Sequence, residues 1–316
     1  IKSLANVDSF IPGTGLSSPE SAGSLCVGLG KFSARIVIGN NRWIGAELGG
    51  LPEGVLAVSL PEAARYHEDL FRSYFMKQPV ELGSHKFSLL HKSRLETGVL
   101  LYVPAGVVIE DPVEIFHIVE GAGTAVFPHT LVVCGSGAKV KVIDYFVSSD
   151  GAPAMACGVN DLHVEAGGEL QYYAVQDWST DTLAFHLNST IVSRDAKSTA
   201  MIVNLGGGFV RGESLSRMIE EGASSVMLSI NPVAGKRFVD QRTLQTHAAP
   251  GAFSDLLYHN SLDNTARTVF AGLIQVAEGA HRTDAYQKVR NLLLSDEAEA
   301  NSMPGLEILA DRVRCT

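Results

Sequence analysis

Four cysteines and ten histidines are the residues of this 316-residue chain best suited to metal or nucleophilic chemistry. Cys26, Cys134, Cys157 and Cys315 stand far apart, with no Cys-x-x-Cys pair. Their spacing fits neither a zinc knuckle nor a ferredoxin-type cluster. By residue type alone, each of the first three reads as a free, buried thiol in a reducing compartment. The histidines are 67, 85, 91, 117, 129, 163, 186, 247, 259 and 281. They form no His-x-His or His-Glu-x-x-His motif, and no His–carboxylate cluster stands out along the chain. Gly206-Gly207-Gly208 opens no helix and lacks the Lys-Ser/Thr of a nucleotide loop, so no phosphate cradle is expected. There is no Gly-x-Ser-x-Gly nucleophile elbow. Acidic residues are scattered, which leaves open a lyase-type carboxylate cluster on one strand face.

Charge narrows the partners. Lys and Arg number 25 against 34 Asp and Glu, for a net charge of −9. An acidic chain without a basic run is a poor match for a phosphate backbone or an anionic membrane surface. The longest apolar stretch, Val99 to Ile109, is broken by Pro104 and Gly106. It is far short of the roughly 20 residues of a membrane helix. No basic-then-apolar leader opens the sequence. The expectation is a cytoplasmic protein that binds neither nucleic acid nor membrane.

The elements that would position any chemistry are legible in the spacing. Ser59-Leu60-Pro61-Glu62 is a capping box with Pro in the first turn. Behind it Leu60, Ala63, Ala64, His67, Leu70, Phe71, Tyr74 and Phe75 recur at three and four, which predicts one helix over about 60–76. From about residue 97 the period becomes two. Val140, Val142 and Asp144 alternate with Lys139, Lys141 and Ile143, and Leu170, Tyr172 and Ala174 alternate with Glu169, Gln171 and Tyr173. Small turn dipeptides separate such runs: Gly137-Ala138, Gly167-Gly168, Asp195-Ala196, Gly222-Ala223, Gly251-Ala252, Thr265-Ala266 and Gly279-Ala280. They recur at about 28 residues with a half-period of about 14. That is one coil of two strands and two turns. Stacked coils give an all-β core, a right-handed parallel β-helix (β-solenoid), preceded by an N-terminal α/β or helical region. The domains read as 1–96 and 97–316. An antiparallel sandwich of evenly spaced hairpins is the alternative fold. A left-handed hexapeptide helix is excluded, because no six-residue period exists. Inward-facing residues are expected to include Val140, Val142, Leu170, Tyr172, Val226, Leu228, Phe270 and Leu273.

Longer motifs carry a resemblance. Tyr258-His259-Asn260 is followed by Val269-Phe270-Ala271-Gly272-Leu273-Ile274-Gln275-Val276, then by His281-Arg282-Thr283-Asp284-Ala285-Tyr286-Gln287. Asn291-Leu292-Leu293-Leu294-Ser295, Leu306-Glu307-Ile308 and Val313-Arg314-Cys315 come next. Upstream stand Leu100-Leu101-Tyr102-Val103-Pro104, Pro128-His129-Thr130-Leu131-Val132-Val133 and Gln241-Arg242-Thr243 with His247 and Ser254. Over residues 97 to 315 this resembles the SufB/SufD family of iron–sulfur cluster assembly scaffolds, and within it the SufD branch. Phe127 and His129 depart from the His and Arg usual there. Ala298 stands where the SufB branch has its cysteine, which favours the SufD branch.

The resemblance implies a scaffold rather than an enzyme. It implies pairing with a SufB-like subunit, docking of a SufC-like ABC ATPase through a C-terminal helical domain absent from this chain, and homodimers in isolation. It implies a transient iron–sulfur cluster at the subunit interface, with no cofactor held stably by the isolated chain. Cys315 is then the cluster-assembly candidate, and period two puts it on one face with Val313. The family motif continues from this cysteine to a His that lies past Thr316. Phe270, Gly272, Gln275, Gln287, Asn291 and Glu307 become the interface candidates, because the coils of residues 255 to 315 are expected to form the pairing edge. Two other readings are a carbohydrate-active β-helix enzyme and a homodimeric structural relative without a cluster role.

Overall fold

Alternating apolar residues and left-handed turn residues build a parallel β-solenoid. The computed structural model describes residues 9–17, 25–78 and 80–316. In chain order it begins with β1 (Ile11–Pro12), β2 (Ala34–Gly39), β3 (Arg42–Glu47) and β4 (Leu56–Ser59). Helices α1 (Leu60–Tyr66), α2 (Glu68–Tyr74) and α3 (His85–Arg94) follow. The coils then run through β5 (Val99–Val103), β6 (Val113–Val119), β7 (Thr124–Val126), β8 (His129–Cys134), β9 (Lys139–Ser148), β10 (Ala154–Val164) and β11 (Glu169–Asp177). They continue through β12 (Leu183–Val192), β13 (Lys197–Asn204), β14 (Phe209–Met218), β15 (Ser224–Val233), β16 (Phe238–His247) and β17 (Phe253–Leu262). The last are β18 (Arg267–Val276), β19 (Asp284–Leu293), β20 (Glu299–Ile308) and β21 (Arg314–Cys315).

Even-numbered strands from β8 to β20 stack in one sheet, and odd-numbered strands from β9 to β21 stack in the facing sheet. Every pairing from β8 onward is parallel. That outcome excludes the hairpin sandwich. The turns explain the regularity. Gly137, Gly167, Asp195, Gly222, Gly251, Arg282 and Arg312 all have positive φ and form one column of corners. Gly207, Gly235 and Asn264 belong to the opposite column. In the first column the corner N–H groups from Gly137 to Gly251 each donate to the next coil; Gly167 N reaches Arg194 O at 2.8 Å and Gly251 N reaches His281 O at 2.9 Å. The alanines just after the corners, Ala138, Ala196, Ala223, Ala266 and Ala280, are fully buried. A larger side chain would not fit where the chain doubles back.

Between the sheets lies a lumen filled by the inward residues. Val140, Val142, Leu170, Tyr172 and Phe270 point into it as expected. Val226, Leu228 and Leu273 do not. On β15 the buried set is Ser225, Met227, Ser229 and Asn231, and on β18 it includes Ile274 rather than Leu273. On β18 both faces are largely apolar, and on β15 most of the apolar residues lie on the outward face, so hydrophobic alternation alone misplaces the register by one residue, and a one-residue slip exchanges the faces. Outward Val226 and Leu228 pack in columns with Thr199, Met201 and Leu257 of neighbouring coils.

The helix expected over 60–76 is two helices. Ser59 caps α1 through its hydroxyl, which accepts from Glu62 N. At His67 the backbone leaves the helical region, with φ −133 and ψ 44, and α2 starts in a new direction. The turn brings Phe75 against His129, with ring centroids 4.9 Å apart. The wide apolar stripe does pack on the body: Leu60, Ala63, Leu70, Phe71, Tyr74 and Phe75 cover Leu100, Leu131 and Val133. Helix α3 gave no sequence signal. The Ser84 side chain makes no cap bond and instead donates to Glu213. Phe87 anchors the helix by stacking on Phe185 at 3.8 Å. Part of the Gly/Ser-rich opening, expected to hold irregular structure and short strands, lies outside the described residues.

Candidate functional site

Cys315 sits on the last strand, β21, paired with Ala285. Continuing down the stack, Ala285 pairs with Ser254, Ser254 with Ser225, and Ser225 with Ser198. All four are buried, so this column faces the lumen and Cys315 tops it. The thiol packs with Ala310 and Val313 against Ile274, Val276, Ala280 and Ala285. Burial, and then the carboxylate of Asp284, raises its pKa above the ordinary thiol value. The group is therefore a neutral thiol at rest, partly shielded, at the mouth of the solenoid. Cys134 and Cys157 are buried thiols pushed up to about 12, and Cys26 is partly buried and pushed up to about 11, each chiefly by desolvation.

Around this mouth the last coil is bare. Leu292, Leu294, Met303, Leu306 and Leu309 are between 51 and 61% exposed. Leu306 is in register with the buried Ile274 of β18 and so continues a lumen column, whereas Leu292 and Met303 continue the outward columns of Ser261 and Ala271; β20 has no strand on its far side. Within the described residues β20 is therefore a sheet edge flanked by exposed apolar side chains.

The six interface candidates separate into two groups. Gln275 and Glu307 lie on the outer face of β18 and β20 and are bonded to each other at 2.9 Å. Asn291 is exposed at the mouth. Gln287 points into the lumen from β19. Phe270, 1% exposed, and Gly272 belong to β18, which β20 covers; neither can touch a partner while the last coil is in place.

Asn291 ends a ladder that sequence reading missed. Asn204 donates to Asn231 at 2.6 Å, Asn231 to Asn260 at 2.8 Å, Asn260 to Asn291 at 2.7 Å, and Asn291 to Ser302 at 3.3 Å. All donors point the same way, toward the mouth. The signal was the recurrence of Asn at one coil spacing on strands.

His–carboxylate pairs, which the sequence had not suggested, form both between strands and along one strand. His117 Nε2 lies 3.2 Å from Asp144, which also accepts from Thr130 and Tyr172 at 2.6 Å each. His163 contacts Asp161 at 2.9 Å. His91 donates from Nδ1 to the Cys157 carbonyl at 2.7 Å, so its Nε2 accepts from His129 Nδ1 at 2.9 Å. Both rings are wholly buried, and desolvation pulls His91 down to about 4 and His129 well below its usual range. These side chains are buried and act as internal pins, and Asp161, which accepts from Met76 N, also lines the pocket under residues 76–82. A carboxylate–arginine cluster exists on the outer face of the even-numbered sheet. Arg211 binds Glu213 at 2.7 Å and Asp240 at 2.6 Å, and Arg242 binds Asp240 at 2.8 Å. Its charges are mutually neutralised. Ser84 donates to Glu213 and Arg211 donates to Leu82 O, so the cluster fastens the segment before α3 to the sheet. Among the described residues no group of three or more His, Cys, Asp or Glu is arranged to hold a metal ion. Nor is any described helix long and apolar enough to cross a membrane.

Comparison with known proteins agrees with this architecture. Residues 117–316 match the model described as SUF system FeS cluster assembly, SufBD core domain, and residues 32–115 match the SufBD protein N-terminal region. The chain is 26% identical over 263 residues to the iron–sulfur cluster assembly protein SufD of Bacillus subtilis, covering 83% of this chain and 60% of that protein. It is 24% identical over 282 residues to a SufBD family protein of Synechocystis, with 84% and 60% covered. It is 22% identical over 269 residues to SufB of Bacillus subtilis, with 83% and 56% covered. The chain thus spans about three-fifths of the length of these relatives. With a core match over residues 117–316, well over half of its length, the chain belongs to the SufBD family.

Proposed function

We propose that this chain is a SufD-like scaffold subunit of iron–sulfur cluster assembly, working through its terminal coil rather than through a closed active site. The observations that support the reading are the SufBD core match over residues 117–316 and the place of Cys315 on the lumen column of β21. In this reading a SufB-like subunit covers the apolar edge of β19 and β20, and in its absence a second copy of the chain does so. A SufC-like ABC ATPase, docked through a C-terminal helical domain, supplies the motion that opens the interface.

The chemistry fits transient handling of a cluster. A thiol is a soft ligand for iron once it loses its proton. Burial keeps the Cys315 thiol neutral, so exposure on opening lowers its pKa and makes the thiolate available. A single cysteine supplied across an interface holds a nascent cluster weakly enough for release, whereas four thiolates would retain it. The cluster is cargo, and the isolated chain is expected to hold none in stoichiometric amount.

The test uses the longer protein that includes the residue after Thr316, expressed with a SufB-like subunit and a SufC-like ATPase from the same source. Cys315→Ser should leave the three-protein complex intact and reduce cluster formation in cells that depend on this pathway. Loss of the complex would make Cys315 structural. An intact complex with full cluster formation would make the thiol dispensable. Failure of the unaltered chain to co-purify with an ABC-type ATPase would instead favour a homodimeric relative without a cluster role.

A further inference from the structure

Between the segment joining α2 to α3 and the outer face of the even-numbered sheet lies a cleft of about 540 Å³, counting its open mouth. Its floor is Val159 of β10, Leu187 of β12 and Leu215 of β14, and its roof includes Met76, Val80 and Leu82. An apolar concavity of this size, with a few polar groups turned into it, is the form small-molecule sites take.

The roof is fastened at both ends. At Met76 the backbone is left-handed, with φ 46, and the Met76 N–H donates to Asp161 of β10. That conformation is uncommon for a residue with a side chain, and here a buried carboxylate holds it. At the other end Arg211 donates to Leu82 O at 3.3 Å, and Ser84 donates to Glu213 of β14. Strand β12 lies between β10 and β14. The two fastenings are therefore two strand spacings apart, about 10 Å. A segment tied down on either side of β12 bridges Leu187, which keeps the space above it open.

Charge selects the occupant. Glu213 is matched by Arg211 at 2.7 Å. Asp161 is 1% exposed, and among the described residues no Lys or Arg stands within ion-pair distance of it. Its oxygens accept from the Met76 N–H and from His163 Nε2, the latter at 2.9 Å. A carboxylate offers about four lone-pair positions, so two bonds leave room for more. Ser189, in register with Asp161 and also lining the cleft, adds a hydroxyl. Glu81 and Lys92, both exposed, line the rim with opposite charges. An apolar cleft with an unmatched carboxylate inside suits an apolar stem with a cationic head and repels an anionic one. We propose that the cleft binds a small primary alkylamine, with its ammonium on Asp161 and Ser189 and its chain over Leu187 and Leu215. The proposal rests on this cleft alone and does not depend on the assembly role.

Titration with n-hexylamine, followed by backbone amide NMR, tests it. Saturable shifts are expected at Met76, Leu187 and Ser189. The affinity should exceed that of n-hexanol, which has the same chain without the charge, by at least about tenfold. No saturable shift, or shifts confined to the exposed Leu292 and Leu294, overturns the proposal. Tighter binding of n-hexanoate would assign the head group to Lys92 and overturn the amine class. Asp161→Asn keeps an acceptor for Met76 N and removes the charge, so it should erase the preference for the amine over the alcohol; a preference that persists overturns the role of Asp161. Should that variant not fold, Leu187→Trp fills the cleft from its floor and should abolish amine binding. Unchanged binding there would place the site elsewhere and overturn the proposal.

Discussion

The two halves of the lumen share one backbone and differ in what fills it. From β5 to β11 the filling is chiefly aliphatic and tightly enclosed: Val99, Leu101, Val103, Val132, Val140, Val142, Leu162 and Leu170 are all at most 4% exposed. Its few polar groups are bonded in small sets, Asp144 with His117, Thr130 and Tyr172, Asn160 with Asn188, and Gln176 with His186. From β14 to β19 the inward positions include Ser214, Ser216, Ser225, Ser229, Asn231, Gln241, Thr243, Gln245 and Asn260. The outer face differs in step. The N-terminal helices lie over β5, β8, β10 and β12, and the last coils have no such cover. The first half is thus an ordinary dry core, stabilised by area removed from water. The second half is held by hydrogen bonds that must each be completed, so its stability is tied to specific partners.

The difference can be broken experimentally. Leu170→Ala, in the dry half, leaves a cavity that the stacked coils cannot collapse, and should cost about 2–5 kcal/mol in chemical denaturation. A loss near zero would mean the first half is as loosely filled as the second. Asn231→Ala removes the middle of the ladder and leaves Asn204 and Asn260 each short of a partner. About 1–3 kcal/mol should be lost. Asn231→Ser should recover only part, because a hydroxyl does not span both neighbours.

Acid should act mainly through the histidines pinned in and beside the dry half. Burial pulls His91 to about 4 and His186 to about 3, below the unfolded value near 6.5. The unfolded chain therefore binds more protons between those values. Stability is full above about pH 6.5 and falls as pH drops toward 4, by about 1.4 kcal/mol per pH unit for each such proton. His91→Gln should lower stability at neutral pH but flatten the slope by about one proton. An unchanged slope would show that His91 is hydrated. The smallest expected effect on folding belongs to the mouth. Leu306→Asp should shift the stability of the single chain by less than about 0.5 kcal/mol. In sedimentation it should abolish self-association; persistence of dimers would place their contact elsewhere.

Much of the fold was legible because the solenoid repeats its own rules. Left-handed corners require Gly, Asn or Asp at most positions, so the corner column shows as a period in the sequence. Ser59 with Glu62 marked the start of α1 to the residue. The candidate thiol was legible too, since Val313 and Cys315 share a face by period two and the structure puts both against Ala285. Only the tertiary structure settled which face of β15 points inward. Val226 and Leu228 are as apolar as a core demands, and what excludes them is Asn231, whose amide must align with Asn204 and Asn260 one coil away on each side. The partnership of His117 with Asp144 and of His91 with His129 was equally unreadable. A local pattern fixes how a strand alternates, but such contacts join residues on different elements, and they come into being only when the coils stack in register and the helix packs on them.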